Sequence, residues 1–487
     1  MLELLVAIPI VSALLCYLAG TRRAMEVCSA LGTGVLLAVS IALGVQVFGV
    51  GAIYEGTLFL DSFGAFALVI VAFIGLMTSL YSIGYMGREH EEGEFPLGRL
   101  RLYYALLNGF IFTMVLVTVS NNLGVMWIAI EGTTLASAFL VGFYNRETSL
   151  EAAWKYVIIC SVGITLALLG IILAYASSTK IPGIEATALD WTTLMNVAPQ
   201  LDPTLLKVAF IMVLVGYGTK VGLAPMHTWL PDAHSQAPTP VSALLSGVLL
   251  NCAMYGILRL HLITSASIGP GFSGTLLLAF GVLSLAVAAI FIILARDYKR
   301  LLAYSSIEHM GIIAIGFGIG GPFGVLGGLL HMLNHAVTKS MLFFTSGNIL
   351  LRFKTKAMEE VRGLGTSMPL TALFLVLGAL AITGSPPFSI FISEFTVVYG
   401  GLQQGQYIVV GLMLLFLVVI FAAFLWHVLR MVFGNGAKDK ERGEVSRSNL
   451  AIIAAMMIIA ILFGLYLPDF LGHALDAVVH LFQGAVP

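Results

Sequence analysis

The feature that most constrains this chain is a succession of apolar stretches of about 20 residues that follow one another along most of the sequence. A helix of that length crosses the hydrocarbon core of a bilayer, where every backbone group must be paired within the protein. Charged residues make up only 10% of the 487 residues, whereas a soluble protein needs about 25% to cover its surface. The chain therefore lacks the surface charge of a soluble enzyme.

Fourteen segments fit this template, and we number them as predicted spans 1 to 14. They cover residues 2–20, 25–48, 62–86, 103–120, 122–144, 152–177, 204–226, 240–263, 273–295, 300–319, 322–352, 367–402, 406–432 and 449–468. The predicted fold class is thus an all-α integral membrane protein with about 14 transmembrane helices. A further stretch, 469–483, is too short and too polar to span. Its helical periodicity predicts an amphipathic helix that lies in the membrane interface or against a partner.

The positive charges give an independent test of this segmentation and predict an orientation. Of the 24 lysines and arginines, 18 lie in or beside the odd-numbered loops, when each loop takes the number of the span before it. The even loops and tails hold only Lys180 and Lys207. Because basic loops stay in the cytoplasm, the odd loops are predicted to be cytoplasmic and both termini to lie on the far side. The balance of 24 basic against 25 acidic residues leaves no basic excess for nucleic acid.

Six ionisable residues that lie well inside the predicted spans stand out, because each charge at that depth costs about 2.5–3.5 kcal/mol on insertion scales. Three of them are spaced four residues apart in span 11 and therefore share one helix face. Groups that gain and lose protons, and that influence the charge of their neighbours, are suited to a proton relay. Pairs that merely join helices are the alternative, although six such groups are costly for that purpose alone. The predicted proton pathway consists of Glu131, Lys220, His331, His335, Lys339 and Glu394.

Other charged residues near the ends of spans have simpler interpretations. Lys155 either extends to the interface or takes part in the pathway, and Arg259 is expected to extend its charge to the membrane surface. Glu308 and His309 fit an interfacial or helix-pairing role at least as well as transport. Lys299 is expected to belong to an ordinary cytoplasmic charge cluster.

No metal or redox site is predicted in this chain. The pair His331 and His335 has HxxxH spacing but no nearby acidic third ligand in the sequence. The four cysteines stand alone in apolar runs without a CxxC motif, which is typical of small buried side chains. They are Cys16, Cys28, Cys160 and Cys252. The expected cofactor content is therefore none, and no catalytic residue is assigned.

Two predicted spans are interrupted by proline at corresponding places. Pro225 follows Lys220 in span 7, and Pro386 and Pro387 precede Glu394 in span 12. Spans 4–8 and 9–13 form two five-helix units whose equivalent members cross the membrane in opposite directions. Broken helices at matching positions are typical of inverted repeats with a pathway between them. The predicted organisation is 1–102 for spans 1–3, 103–264 and 265–433 for the two repeats, and 434–487 for span 14 with the amphipathic segment.

Long stretches of the sequence carry a specific resemblance. These are SNNLGVMWIAIEGTTLASAFLVG (120–142), SLEAAWKYVIIC (149–160), GTKVGLAPMHTWLPDAHSQAPTPVSALLSGVLLNC (218–252), RDYKRLLAYSSIEHMG (296–311), LHMLNHAVTKSMLFFTSGNIL (330–350) and GSPPFSIFISEF (384–395). The chain resembles the antiporter-like, proton-translocating membrane subunits of complex I, Mrp-type antiporters and group 4 membrane-bound [NiFe] hydrogenases, and the hydrogenase branch most closely.

The resemblance implies a fourteen-helix core with two inverted five-helix repeats. It also implies a proton path in which Glu131 and Lys220 form a coupled pair. By the same motifs, Lys339 and Glu394 continue that path, with the histidines of span 11 between. One departure concerns span 8, where several family members have a lysine at the position of Asn251 and others a histidine at that of Ser246.

This departure leaves span 8 without a titratable group in the relay. Asn251 and Ser246, together with Ser242, are therefore secondary candidates that would bridge the gap by holding water. Because span 8 lacks a titratable group, Lys155 is also a secondary candidate for the proton pathway.

The resulting expectation is a proton-translocating subunit of a multi-subunit redox complex in a prokaryotic cell membrane, of the membrane-bound hydrogenase or formate hydrogenlyase type. Expected partners are other membrane subunits, a peripheral arm with [NiFe]-hydrogenase-like and iron–sulfur subunits, lipid, and protons or sodium ions, but no nucleic acid. The alternatives are an Mrp-type sodium/proton antiporter subunit, a complex I (NADH:quinone oxidoreductase) subunit, and a purely structural membrane anchor.

Overall fold

The computed structural model describes residues 1–434 and 442–484, and this part of the chain is almost entirely helical. The first part contains α1 (Leu2–Leu18), α2 (Arg22–Val50), α3 (Ser62–Glu91), α4 (Leu97–Val119), α5 (Leu123–Val141) and α6 (Glu147–Ser178). The antiparallel strands β1 (Ile53–Glu55) and β2 (Leu58–Leu60) form a hairpin between α2 and α3.

The middle of the chain consists of α7 (Trp191–Asn196), α8 (Pro203–Val221), α9 (Trp229–Gln236), α10 (Thr239–Leu244) and α11 (Leu250–Ile268). A 3₁₀ turn (Ala198–Gln200) follows α7, and a π-helical turn (Leu245–Leu249) joins α10 to α11. The last part contains α12 (Gly271–Ile293), α13 (Tyr298–Ile319), α14 (Gly321–Phe353), α15 (Leu364–Ser367), α16 (Pro369–Ile382), α17 (Ser389–Gln403), α18 (Tyr407–Phe433), α19 (Arg447–Leu465) and α20 (Asp469–Phe482).

The predicted all-α membrane fold is confirmed. Within the described residues, 11 helices or joined helices are long and apolar enough to cross a membrane. Each predicted span coincides with one of these or with α1, α14 or the pair α16 and α17. The count of fourteen spans and the boundaries of the two repeats stay predictions, because length and hydropathy alone do not establish them. Most of predicted loop 13, residues 435–441, lies outside the described residues.

The arrangement places apolar side chains outside and polar ones inside. Peripheral helices expose large apolar residues such as Val45 of α2 and Ile408 and Val418 of α18. The joined helix Thr239–Ile268 is fully buried over its most apolar stretch, and α13 is nearly so. Because lipid rather than water surrounds the bundle, the exposed apolar surface is expected. The central helices α11, α13 and α14 are therefore the ones that can bring polar groups together.

Side-chain caps define the starts of three helices that carry ionisable residues of the interior, α5, α8 and α13. Asn122 Oδ1 accepts hydrogen bonds from the backbone N–H groups of Gly124 and Val125 at the start of α5. Asp202 caps α8 in the same way, and Asp297 caps α13. Such caps satisfy N–H groups that have no partner in the first helical turn.

Both predicted helix interruptions are confirmed. α8 ends at Val221, Gly222 has a positive φ of 80°, and α9 begins at Trp229. α16 ends at Ile382, and α17 begins at Ser389 after Gly384, where φ is 69°. Side chains cover the freed backbone carbonyls: Trp229 Nε1 donates to Thr219 O at 2.8 Å. Gaps of this kind are tolerated at membrane depth only when protein or cavity water pairs the exposed groups.

The amphipathic helix predicted at the end of the sequence is confirmed as α20. The sequence did not determine whether this helix contacts the membrane interface or a partner. In the structure it packs against α3 and α14 of the same chain. Leu475 and Val478 are buried, whereas Phe470 is exposed. The ring of Phe482 contacts Phe63 and Phe317, with centroid separations of 5.4 and 5.1 Å.

The expectation that Arg259 extends to the membrane surface is wrong. Its side chain is buried, and its Nη1 and Nη2 atoms each donate to Asp61, at 2.6 Å in both cases. The guanidinium also donates to Tyr255 Oη at 2.5 Å and lies 4.3 Å from the ring centroid of Trp191. A carboxylate from the start of α3 thus replaces the water that the arginine would otherwise have to reach.

We expect this buried pair to contribute strongly to stability. Arg259→Met should destabilise the protein by about 3–5 kcal/mol, because it leaves the Asp61 carboxylate buried without a counter-charge. Asp61→Asn together with Arg259→Met should recover much of that loss. The measurement is the thermal midpoint of the detergent-purified protein, with exposed Arg23→Met as the control. An Arg259→Met midpoint equal to that of the control would contradict a structural role for the pair.

Candidate functional site

Ionisable side chains are concentrated in the buried centre of the bundle. Glu131 of α5 is partly buried, and Lys220 at the end of α8 is buried. A second group lies on α13, α14 and α17 and is fully or nearly fully buried; it consists of Glu308, His309, His331, His335, Lys339 and Glu394. All six residues of the predicted pathway thus lie in the interior or at its edge. The structure adds Glu308 and His309 to them.

A threonine links the predicted pair Glu131 and Lys220. Lys220 Nζ donates to Thr134 Oγ1 at 2.6 Å and to Tyr156 Oη at 2.7 Å. Thr134 Oγ1 in turn donates to Glu131 Oε2 at 2.9 Å. The amine and the carboxylate are therefore connected through one hydroxyl rather than by a direct ion pair. Thr134 is three residues after Glu131 on the same helix face, and this spacing is the signal that could have identified it.

The second group is organised around histidines that contact one another. His309 Nδ1 and His331 Nε2 are 2.9 Å apart, so one of the two nitrogens carries the proton between them. His331 Nδ1 is 2.9 Å from Ser393 Oγ, and the rings of His309 and His335 have centroids 5.2 Å apart. Of the alternatives for Glu308 and His309, the interfacial one does not fit, because both side chains are buried on α13 at the centre of the bundle. Helix pairing and transport are both compatible with this position.

The sequence-based argument against a third acidic ligand near the histidines is also wrong. The break before α17 brings Glu394 to the histidines, and ligand atoms of His309, His331 and Glu394 lie within 4.8 Å of one another. Gly384 leaves room for this carboxylate, because a Cβ at that position would collide with Glu394. The HxxxH pair of His331 and His335 does not form this group, because His335 is not one of its three members.

Lys339 lies near this group but is held by the backbone. Its side chain is fully buried, and its Nζ donates to the carbonyl of Leu302 at 3.3 Å. Glu308 accepts a hydrogen bond from Ser305 Oγ at 3.1 Å, while its other carboxylate oxygen has no partner in the described part of the chain. Buried polar atoms without hydrogen-bond partners are rare and need an explanation. A water molecule bound to this oxygen, or a proton carried by the carboxyl group, would provide one.

The secondary candidates Asn251 and Ser246 lie between the two groups. Asn251 Nδ2 donates to Gly247 O and to Met332 O on α14, whereas its Oδ1 has no partner among the described residues. Ser246 lies in the π-helical turn and pairs with Ser306 of α13 at 2.7 Å. Turns of this type are frequent at functional sites. An unpartnered oxygen at this position can accept a hydrogen bond from water.

Lys155 is not brought into the buried line. Its ammonium lies 2.6 Å from Glu151 and 3.2 Å from Asp232, and almost half of its side-chain surface is exposed. Arg300 binds the same Asp232 at 2.6 Å. Lys155 thus belongs to a surface ion-pair network, in agreement with the interfacial alternative.

Sequence reasoning missed His234, which lies on α9 directly after the first helix interruption. Its side chain is fully buried, and neither ring nitrogen has a partner among the described residues. The ring stacks on Phe343 of α14 with a centroid separation of 5.2 Å. Its position after a helix break at membrane depth was the available signal.

Comparison with known proteins identifies the family. The family described as "NADH:quinone oxidoreductase/Mrp antiporter, TM" matches residues 120–421. The family described as "NADH-Ubiquinone oxidoreductase (complex I), chain 5 N-terminus" matches residues 55–95. The first match covers more than half of the chain and contains the whole predicted pathway. This chain therefore belongs to the family of antiporter-like membrane subunits found in NADH:quinone oxidoreductases and Mrp antiporters.

Individual relatives agree with this membership. The chain is 41% identical over 416 residues to the hydrogenase-4 component F homolog of Methylacidiphilum infernorum, which covers 85% of this chain and 86% of the relative. It is 34% identical over 351 residues to hydrogenase-4 component B of Escherichia coli, covering 70% of this chain but only 50% of that longer protein. A chain of the archaeal membrane-bound sulfane sulfur reductase has the same fold, with a TM-score of 0.88 and 24% identity, over 99% of this chain and 98% of that one.

We expect Thr134 to be required for communication between Glu131 and Lys220. Thr134→Val should slow proton uptake into vesicles about tenfold or more, because a hydrogen bond to a charged group contributes about 1.5–3 kcal/mol and each 1.36 kcal/mol of barrier is tenfold in rate. Thr134→Ser should retain most of the rate. Thr133→Val is the matched control, since the Thr133 hydroxyl bonds only the carbonyl of Ile130. Equal rates for Thr134→Val and Thr133→Val would exclude the hydroxyl link.

Proposed function

We propose that this chain is the proton-translocating membrane subunit of a multi-subunit redox complex of the membrane-bound hydrogenase type. The observation that carries the proposal is the concentration of ionisable groups whose side chains are buried in the bundle, from Lys220 to Glu394. Each charge at membrane depth is costly, and a structural anchor has no need of so many. Stability alone is better served by pairs such as Asp61 and Arg259, which are fully satisfied by each other.

In the first proposed repeat, residues 103–264, the hydroxyl of Thr134 can carry a proton between amine and carboxylate. The ammonium of Lys220 gives a proton to Thr134 Oγ1, and the hydroxyl releases its own proton to Glu131 Oε2. The reverse step restores the starting state. Because the charge on each partner influences the protonation of the other, movement of either group can drive the transfer.

In the second proposed repeat, residues 265–433, the histidines provide the corresponding step. The proton shared by His309 and His331 can move from one ring to the other, and Ser393 and Glu394 lie next to the receiving ring. Lys339 lies on the same helix face as His331 and His335 and supplies a proton or a charge from the other end. Asn251 and Ser246 would hold water between the repeats.

The redox chemistry is proposed to belong to partner subunits. The relatives include components of hydrogenase-4 and subunits of NADH-quinone oxidoreductase, which are redox assemblies by name. We propose that the partners are further membrane subunits and a peripheral arm with [NiFe]-hydrogenase-like and iron–sulfur subunits, in a prokaryotic cell membrane.

An Mrp-type sodium/proton antiporter subunit is the second candidate, because the matching family description includes Mrp antiporters. The two candidates differ in what drives transport. Vesicles with the purified complex should take up protons when its electron donor and acceptor are added. Uptake that needs only an imposed sodium gradient, without electron transfer, would favour the antiporter instead.

We expect Lys339 to act as a proton carrier rather than as a fixed charge. Lys339→Met should abolish redox-driven proton uptake while leaving assembly intact, because an apolar side chain of similar length fits the same space. Lys339→Arg should also fail, since a guanidinium does not release its proton. Exposed Lys207→Arg is the control and should keep the wild-type rate. Normal uptake with Lys339→Arg would mean that this residue holds structure through its charge.

We propose that the odd-numbered loops face the cytoplasm and that both termini lie on the far side, as the distribution of basic residues indicates. In a background free of the four native cysteines, Glu359→Cys in loop 11 should be labelled by an impermeant thiol reagent only from the cytoplasm. Gln404→Cys in loop 12 should be labelled only from outside. Both positions are exposed in the structure. The reverse labelling pattern would invert the proposed orientation.

A further inference from the structure

Two cavities at helix ends differ in the chemistry of their linings. The larger, of about 540 Å³, is lined by Phe317, Phe482 and a series of glycines, and His261 is the only titratable side chain among its lining residues. The smaller, of about 160 Å³, lies where α3 ends and α6 begins. Its lining is rich in titratable groups, among them Glu89, Glu94, Tyr144, Lys299 and Lys356. Of these two cavities, the smaller one therefore has more groups that exchange protons.

Glu89 is a buried carboxylate that the relay described above does not use. It is 7% exposed and accepts a hydrogen bond from Tyr144 Oη at 2.7 Å. In the described part of the chain it makes no ion pair. A carboxylate buried at a cavity wall and held by phenols rather than by an ion pair is costly, whereas Glu91, two residues further along, is exposed and pairs with Arg22.

Lys299 is the second buried group of this cavity, and its burial does not fit the ordinary charge cluster that the sequence predicts at this position. Its side chain is fully buried, and its Nζ donates to the carbonyl of Ala237 at 2.7 Å. It interacts electrostatically with Glu89 without forming an ion pair. A nearby ammonium favours the ionised carboxylate, so that Glu89 can release a proton after accepting one.

His234 continues from this cavity toward the centre of the bundle. Ala237, which accepts the hydrogen bond from Lys299, follows α9, and His234 lies three residues earlier on that helix. Both ring nitrogens of His234 lack partners among the described residues, and the imidazole is within electrostatic range of both Lys299 and Lys339. Its stacking partner Phe343 lies one turn from Lys339 on α14. His234 thus interacts both with Lys299 at the cavity and with Lys339 in the centre of the bundle.

The basic side chains around the cavity mouth are already engaged. Arg146 binds Glu94 at 2.8 Å, and Lys354 binds Glu92. Lys356 Nζ donates to Ser235 O at 2.9 Å. Burial lowers the pKa of Lys356. The nearby carboxylate of Asp297 raises it, whereas the positive charges of Arg300 and Arg146 lower it further. These cations are not free to hold the phosphate of an anionic lipid, and the Glu89 carboxylate in the cavity wall would repel it.

We propose that this cavity is the proton intake of the second repeat, with Glu89 as its loading group and His234 as the next acceptor. A hydronium ion in the cavity transfers a proton to the Glu89 carboxylate. The carboxyl group becomes neutral, and the hydronium ion becomes a water molecule. The cavity has room for several water molecules, and through them the proton passes to a free ring nitrogen of His234 and then toward Lys339. The inference rests on the proposed function. All loops that line the cavity are odd-numbered, so the intake would face the cytoplasm.

The test is redox-driven proton uptake by the purified complex in vesicles. Glu89→Gln keeps the shape and the acceptor for Tyr144 but cannot exchange the proton, and it should slow uptake by at least about tenfold. Glu91→Gln, on the same helix and exposed, should leave the rate within about twofold, because surface charges contribute little. His234→Gln should slow uptake as Glu89→Gln does.

Chemical rescue separates proton delivery from a merely structural role. Azide, a small weak acid, should restore uptake in Glu89→Gln in proportion to its concentration, because it carries protons into the cavity. Normal uptake in Glu89→Gln, with an active wild type, would overturn the intake while leaving the proposed function standing. A wild type without uptake would instead remove the proposed function itself. Activity that depends on anionic lipid in the vesicle and not on Glu89 would show a lipid headgroup site and overturn the proposal.

Discussion

The rest of this structure depends on one constraint: a polar group inside the membrane must find its partner within the protein. The pair Asp61 and Arg259 meets this constraint completely, with two hydrogen bonds of 2.6 Å between oppositely charged groups. The interior around Lys220, His234 and Glu308 meets it only in part. Threonine, tyrosine and serine hydroxyls or backbone carbonyls take the place of counter-charges, and several buried nitrogen and oxygen atoms have no partner in the described residues.

This difference separates structural charges from charges that can change. A charge held by a counter-charge is stable, because deprotonating the cation or protonating the carboxylate leaves the other partner uncompensated. A charge held by neutral hydroxyls can give up its proton at a smaller cost, since a hydroxyl both donates and accepts. The link from Lys220 through Thr134 to Glu131 is of the second kind. The contact between His309 and His331 likewise joins two groups that can each donate or accept a proton. The same side-chain chemistry therefore serves both roles, and the partner decides between them.

The two interrupted helices provide the geometry for this arrangement. An unbroken helix would place Glu394 according to the helical period of α16, whereas the break at Gly384 lets α17 present it to the histidines of α13 and α14. The break after α8 likewise produces α9, which carries His234 between the cavity and Lys339. Backbone that is irregular at membrane depth is costly unless it lines a functional cavity.

The sequence by itself determined the class of fold, the approximate ends of its helices, both interruptions and the buried or partly buried positions of the six residues that we propose as the pathway. The length of an apolar segment, a proline within it and a charge within it are properties of one short stretch of sequence. Each can therefore be recognised without knowing which helices surround that stretch. Only the tertiary structure decided which ends of helices are buried and which groups meet. Three charged residues near the ends of predicted spans have sequence positions that are typical of the membrane interface, yet neighbouring helices bury all of them. They are Arg259, Glu308 and Lys299. Contacts between residues far apart in the chain, such as Asp61 with Arg259 or Glu394 with His309, depend on helix packing that no local pattern records.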